Sequence, residues 1–262
     1  MKTDPYDGIS PQVVDTVKRV LLEADDYHQA HVTRLARTIE ILVDKNSSGK
    51  MLELGTSGFV PIVCSELLPN LEIEATCLVE DDSPFSLDAD FIVGSYSKTI
   101  KCHGLDLEYD QIPVEDETYD IVLCCEVLEH MEIDPMFMLA EVNRVLKTTG
   151  TLVLTTPNIV SSRGLTKMVN GIEPYFFMHY HRTREMHRHN YEYSPDGVRK
   201  ILRAAGFDAL VWTEDLFEDG ITSVVDALRA AGFVIEEVGD NIIAVCKKVS
   251  PVIDRYPSGM YA

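Results

Sequence analysis

The sequence predicts an α/β fold built on a doubly wound, mostly parallel sheet. Three observations predict it. Short apolar runs alternate with helical stretches from Lys50 to Asn158. The run Tyr119–Cys125 is nearly all apolar, as a parallel strand covered on both faces must be. A glycine turn, Gly55-Thr56-Ser57-Gly58, joins the first strand of the series to a helix.

The first helix follows Ser10, with Pro11 at its first position and Val13, Val14, Val17, Val20 and Leu21 on one face. A second is expected from Tyr27 to Val43, with Leu35, Ile39 and Leu42 inward. Asn46-Ser47-Ser48-Gly49 breaks the chain, so residues 1–46 read as an N-terminal helical cap. Residues 47–158 follow as the core. Its strands are Met51–Leu54, Ile73–Val79, Thr99–Leu105, Tyr119–Cys125 and Thr151–Thr155. Its helices are Pro61–Leu68 and Asp134–Leu146, the latter capped by Asp134 and opened by Pro135.

Residues 159–192 are rich in aromatic, basic and histidine side chains and read as a helix-and-loop insertion on the substrate side. Residues 193–248 complete the sheet: a helix from Ser194-Pro195 to Gly206, a strand Phe207–Trp212, a helix ending at Gly232, and a strand Asn241–Cys246. Residues 249–262 form a tail. The hexapeptide Leu-Arg-Ala-Ala-Gly-Phe occurs at 202–207 and 228–233, which we read as reuse of a helix–Gly–strand solution.

With 262 residues, 45% of them hydrophobic and 25% charged, the composition is that of an ordinary globular protein. No apolar run approaches the ~20 residues of a membrane span. The first ten residues lack a basic start and an apolar stretch, so no secretory leader is expected and a cytoplasmic location is. The six cysteines form no CxxC pair and read as buried free thiols. A net charge of −20 disfavours nucleic acid. Residues 161–203 run against it, with eight basic and four acidic side chains and four of the eight histidines.

The chemistry begins at the glycine turn. An acid in the strand end, Glu53, then Gly55 and Gly58 before a helix, makes a cradle at the carboxyl end of a strand. Glu80-Asp81-Asp82 follows the next strand, where a carboxylate can accept both hydroxyls of a ribose. These two features leave nicotinamide and other adenosine-containing cofactors open. A third separates them. Asp120-Ile-Val-Leu-Cys-Cys-Glu-Val-Leu-Glu-His130, Glu141-Val-Asn-Arg-Val-Leu-Lys147, Gly150 and Leu152-Val-Leu-Thr-Thr-Pro-Asn158 closely resemble the class I S-adenosylmethionine-dependent methyltransferases, over about residues 50–158.

The resemblance implies a Rossmann-like, seven-stranded sheet whose last strand is antiparallel. It implies S-adenosyl-L-methionine as cofactor and S-adenosyl-L-homocysteine as product. It assigns Glu53, Gly55, Thr56 and Gly58 to the methionine and ribose end, and Glu80 with Asp81 to the ribose hydroxyls. Asp106 would meet the adenine amino group, with Leu107 beside the ring. Glu126 and Val127 would wall the sulfonium side. The family pattern, acid-x-Gly-x-Gly-x-Gly, departs here at Ser57 and Phe59, and a side chain at 57 restricts backbone approach.

Methyl transfer from a sulfonium needs alignment and sometimes a base. His179 and His181 are candidate catalytic bases, with His187 and His189 in the same segment. His130 is a further candidate, although helix-start structure explains it more simply. No His-x3-His pair with a clear carboxylate partner appears, so no metal is expected. Residues 189–207 resemble a stretch common in these enzymes. Residues 239–248 and 255–261 resemble, more loosely, methyltransferases of glycan assembly, which implies a saccharide hydroxyl as acceptor. The basic 161–203 stretch would suit an anionic one. The rival readings are a small-molecule O- or N-methyltransferase of secondary metabolism, with Tyr175, Phe176, Phe177 and Tyr180 lining the pocket, and a non-catalytic regulatory protein that binds the cofactor. A nicotinamide dehydrogenase is disfavoured by the 120–158 stretch. A homo-oligomer is left open.

Overall fold

A computed structural model describes residues 6–45, 47–79, 84–176, 188–217 and 220–261. Three helices lead in: α1 (Pro11–Leu21), α2 (Asp26–Ala30) and α3 (Val32–Asp44). The core then runs β1 (Gly49–Leu54), α4 (Phe59–Leu67), β2 (Leu71–Cys77), β3 (Phe85–Val93), β4 (Tyr96–Gly104), β5 (Tyr119–Cys125), α5 (Pro135–Val145) and β6 (Leu146–Pro157). A 3-10 turn, Leu128–His130, lies between β5 and α5. After β6 come α6 (Ser162–Val169), α7 (Pro195–Ala204), β7 (Phe207–Glu214), α8 (Thr222–Ala230) and β8 (Asn241–Lys248).

The sheet order is β3-β4-β2-β1-β5-β6-β8-β7. β4, β2, β1, β5 and β6 are mutually parallel, and β8 pairs antiparallel with both β6 and β7. Chain order reverses between β1 and β5, and ligands of open α/β sheets bind outside the carboxyl ends of strands at such a switch point. Helices α1, α3 and α4 cover one face around Val17, Ile39 and Val63; α5 and α7 cover the other around Leu139 and Ile201.

Among the described residues the sheet has eight strands, one more than expected. The extra one, β3, is an edge strand antiparallel to β4. Phe85, Leu87, Ala89, Phe91 and Val93 alternate with Ser86, Asp88, Asp90 and Ile92, a period of two that builds a strand. Gly94 then takes φ +57° in the turn into β4. The expected single helix over 27–43 is also two. Asp25 caps α2 by accepting from the His28 amide, and His31 leaves helical geometry at φ −109°, ψ 18°. The two hexapeptides end differently. Gly206 and Gly232 both follow a helix with φ near +90° (+89° and +92°). Phe207 then enters β7 and is buried, whereas Phe233 is exposed and starts no strand, since β7 already holds the place beside β8.

Under the sheet, Glu74 is buried and accepts from Lys50 Nζ at 2.8 Å and from the Tyr119 hydroxyl at 2.6 Å, with His103 Nε2 at 3.1 Å. Burial pushes its carboxyl up, but these three bonds outweigh burial and hold it at about 2. Its pKa is depressed, so its contribution to stability is in force above the unfolded value of about 4.3 and is lost as pH falls toward about 2. Glu74→Ala strands two buried partners, Tyr119 and His103, and the half-buried Lys50, and is expected to cost about 3–5 kcal/mol in urea unfolding near neutral pH.

All six cysteines are free, four of them buried. No described helix is long and apolar enough to cross a membrane. The tail clasps the start of α5: Arg255 bonds Asp134 with both terminal nitrogens, and the Tyr261 hydroxyl donates to Asp134 at 2.7 Å.

Candidate active site

The glycine turn stands at the carboxyl end of β1. Gly55 and Gly58 have φ of +65° and +83°, which glycine adopts without strain. The Gly55 amide donates to Thr76 Oγ1 at 3.0 Å, and the Thr56 amide to the Thr76 carbonyl at 3.1 Å. Thr56 Oγ1 donates to Glu53 at 2.5 Å and accepts from the Gly58 amide at 2.9 Å. Glu53 is buried, and burial pushes its carboxyl up to about 7.

The departures at 57 and 59 have a structural use. His28 of the cap stacks on the fully buried Phe59 ring at 5.2 Å, and its Nε2 lies 3.0 Å from Ser57 Oγ. Asp25 holds the other nitrogen of His28 at 2.6 Å. Ser57 and Phe59 therefore dock the N-terminal helices onto the turn, while Gly58 keeps the left-handed geometry.

Glu80 and Asp81 lie outside the described residues, as do His179, His181 and His187. Asp106 and Leu107 follow β4. Leu107 is buried, and Asp106 Oδ1 accepts from the Glu108 amide at 2.9 Å, closing a turn on itself.

Glu126 follows β5 in the left-handed region, at φ +55°. A non-glycine residue there costs about 1–3 kcal/mol and persists only where its surroundings impose it. The surroundings are Thr155 of β6, whose hydroxyl donates to the Glu126 carboxylate at 2.8 Å and whose carbonyl accepts its amide at 3.0 Å, and Asn241 of β8, whose amide donates at 2.9 Å. Val127 beside it is buried, and its Cγ2 would stand 3.0 Å from a Cβ on Gly55. The structure thus brings Glu53, Gly55, Thr56, Gly58, Glu126 and Val127 to one place, the β1/β5 switch point.

Sequence reasoning missed the residues that the cap contributes. Arg34 on α3 is 4% exposed, and its Nε has no hydrogen-bond partner among the described residues. Burial opposes its charge, but Glu126, with Tyr27, Cys125 and Glu129 nearby, holds it on. Tyr27 reaches Arg34 with its hydroxyl at 3.4 Å. His31 packs against Tyr27 and Phe217, and burial, then Arg34, lower it to about 4, so it is neutral near pH 7. The signal was an arginine next to Leu35 on an otherwise inward helix face, with Thr38 one turn on.

Opposite the cap, the 3-10 turn meets residues 188–193. The Glu129 carbonyl accepts from the Asn190 amide at 2.7 Å, and Asn190 Nδ2 donates to the His130 carbonyl at 2.9 Å. His130 Nδ1 lies 3.0 Å from the Arg188 carbonyl. His189 is buried, with Nδ1 2.8 Å from Glu192. Glu129 is fully buried; one oxygen accepts from Thr156 Oγ1 at 2.8 Å. Burial, then Glu126, push its carboxyl well above the usual range.

The basic stretch is partly spent within the fold. Arg199 pairs with Glu237, Lys167 donates to the Tyr175 carbonyl, and Lys200 to that of Ser258.

Comparison with known proteins agrees with this geometry. Among curated proteins no sequence matches. A S-adenosylmethionine-dependent methyltransferase structure from Thermotoga maritima superposes with a TM-score of 0.53 at 14% identity, covering 90% of this chain and 99% of that one. One from Archaeoglobus fulgidus gives 0.51 at 16%, covering 82% and 93%. The Haemonchus contortus phosphoethanolamine N-methyltransferase 2, crystallised with phosphomonomethylethanolamine and S-adenosylhomocysteine, gives 0.51 at 12%, covering 94% of this chain and 59% of that one. At these identities the likeness is one of fold. The family profile described as a methyltransferase domain matches residues 27–211, from the helix that carries His28 to the strand after α7. A glycine turn, a strained glutamate after β5 and a capping arginine at one switch point, under that match, make the chain a member of the methyltransferase-domain family, a class I S-adenosylmethionine-dependent methyltransferase.

Proposed function

We propose that this enzyme methylates a small-molecule acceptor held above Glu126, between the N-terminal cap and residues 188–193. The observation that carries the reading is Arg34. A buried guanidinium with an unpartnered nitrogen, within electrostatic reach of Glu126 and of Glu53 at the end of β1, fits the carboxylate of the methionine moiety. Glu53 fits the opposite pole, the methionine ammonium. Glu126 and Val127 border the sulfonium side, and Asp106 and Leu107 the adenine. The cofactor supplies an activated methyl group, and the protein's task is alignment and exclusion of water.

A saccharide hydroxyl as acceptor rests on the resemblance of 239–248 and 255–261. In the fold the second of these stretches clasps α5, so the narrower reading draws its support from the sequence alone. The test is release of S-adenosylhomocysteine across a panel of phenols, amines, thiols, free sugars and nucleotide-linked sugars. Turnover with none of them would count against the proposal; turnover confined to sugars would establish the narrower form.

Glu53 gives a pH dependence. Its pKa is raised to about 7, so it gains a proton as pH falls through that value and loses its pull on a cation. Cofactor affinity is expected to rise from about pH 6 to pH 8, by at most about tenfold per unit below the pKa. Calorimetry with S-adenosylhomocysteine checks it, and Glu53→Gln should flatten the profile.

A further inference from the structure

Glu129, His130 and His189 bring one carboxylate oxygen and two imidazole nitrogens within 4.8 Å of one another. The hydrogen bonds to residues 188–193 explain how the turn is docked. They do not explain Glu129 Oε1, which is fully buried and has no hydrogen-bond partner among the described residues. A carboxyl oxygen left without a partner in such a place is costly, and an ion bound there would displace the proton that burial favours on Glu129. Glu129 Oε1 faces His130 Nε2 at 4.0 Å, beyond hydrogen-bond range.

The imidazoles are oriented for that task. His130 Nδ1 is engaged by the Arg188 carbonyl and His189 Nδ1 by the Glu192 carboxylate. In the neutral rings each Nδ1 then carries the proton, so each Nε2 carries the lone pair. A carbonyl or carboxylate behind the far ring nitrogen is the usual support of a metal-bound histidine. Thr156 in turn fixes the other oxygen of Glu129.

We propose that Glu129, His130 and His189 hold a divalent transition-metal ion through Glu129 Oε1 and the two Nε2 atoms. Two imidazoles and one carboxylate suit zinc, manganese, iron(II) or cobalt(II) better than the all-oxygen preference of calcium or magnesium. Bonds of about 2.1 Å set ligand atoms about 3.0–3.4 Å apart, so binding draws the triangle inward by side-chain rotation. Three protein ligands leave positions open. On the methyl-transfer reading above, an acceptor hydroxyl would take one of them beside Glu126; the ion would lower its pKa so that its proton passes to solvent, and its oxygen would bond the methyl carbon as the carbon–sulfur bond breaks and S-adenosylhomocysteine leaves. The sequence hides the site, because His189 is remote from Glu129-His130 and no helical ligand spacing marks it.

Metal-stripped protein titrated with cobalt(II) alone should develop visible ligand-field absorption that saturates at one ion per chain. Glu129→Gln and His189→Ala should each weaken binding by about 100-fold or more. Glu192→Gln, which takes the negative charge from behind His189, should cost about 10- to 100-fold. Thermal melting and S-adenosylhomocysteine affinity report the fold and the cofactor site separately, so loss of the metal with both intact is legible. No cobalt spectrum in the unmodified protein, or cobalt binding unchanged in both Glu129→Gln and His189→Ala, overturns the proposal and leaves the methyltransferase reading untouched.

Discussion

Arg34→Leu is expected to weaken S-adenosylmethionine binding by about 2–5 kcal/mol, or about 30- to 5,000-fold in Kd. The size follows from burial. Arg34 is 4% exposed, so its pairing with a carboxylate is not screened as a surface pair would be. Removing it also leaves Glu126 facing Glu129 with no cation between them. Arg34→Lys keeps the charge but loses the forked geometry, and should recover only part of the affinity. Calorimetry gives the affinities, and thermal melting of the free protein separates lost binding from lost fold. Affinity within twofold of the parent in a folded Arg34→Leu protein would remove Arg34 from the cofactor site.

Gly58→Ala should be among the most destabilising single substitutions in the chain. Its φ of +83° costs a side chain about 1–2 kcal/mol. The added Cβ would also stand 2.8 Å from Phe91 Cβ, an atom near the backbone that cannot swing aside. Overpacking adds about 1–3 kcal/mol, for a total of about 2–5 kcal/mol in urea unfolding. Phe91→Gly in the same protein, which removes that Cβ, should return the overpacking part and leave the backbone part. A double-mutant cycle that shows no coupling would mean that β3 does not lean on the glycine turn.

Much of this was legible in the sequence, and the reasons are specific. The run Tyr119–Cys125 coincides with β5 because a strand covered on both faces tolerates few polar side chains. Asp134 with Pro135 marked the start of α5, since capping is local chemistry. The alternation from Phe85 to Val93 also carried a readable signal, yet an edge strand on the far side of β4 breaks the strand–helix rhythm that organised the reading. Ser57 and Phe59 looked like losses from a glycine pattern. They turned out to be the seat of His28, and nothing local to the turn could show a partner that arrives from an earlier helix. Arg34 and the Glu129–His130–His189 triangle were hidden for the same reason: each depends on segments that meet only in the fold.

On the reading proposed above, the β1/β5 crevice binds S-adenosylmethionine. Isothermal titration of the purified chain with S-adenosylmethionine, run beside NADH, tests it most directly. The account predicts saturable binding of one S-adenosylmethionine per chain, sharply weakened in Arg34→Leu, and no NADH binding. Binding of NADH without S-adenosylmethionine would contradict it.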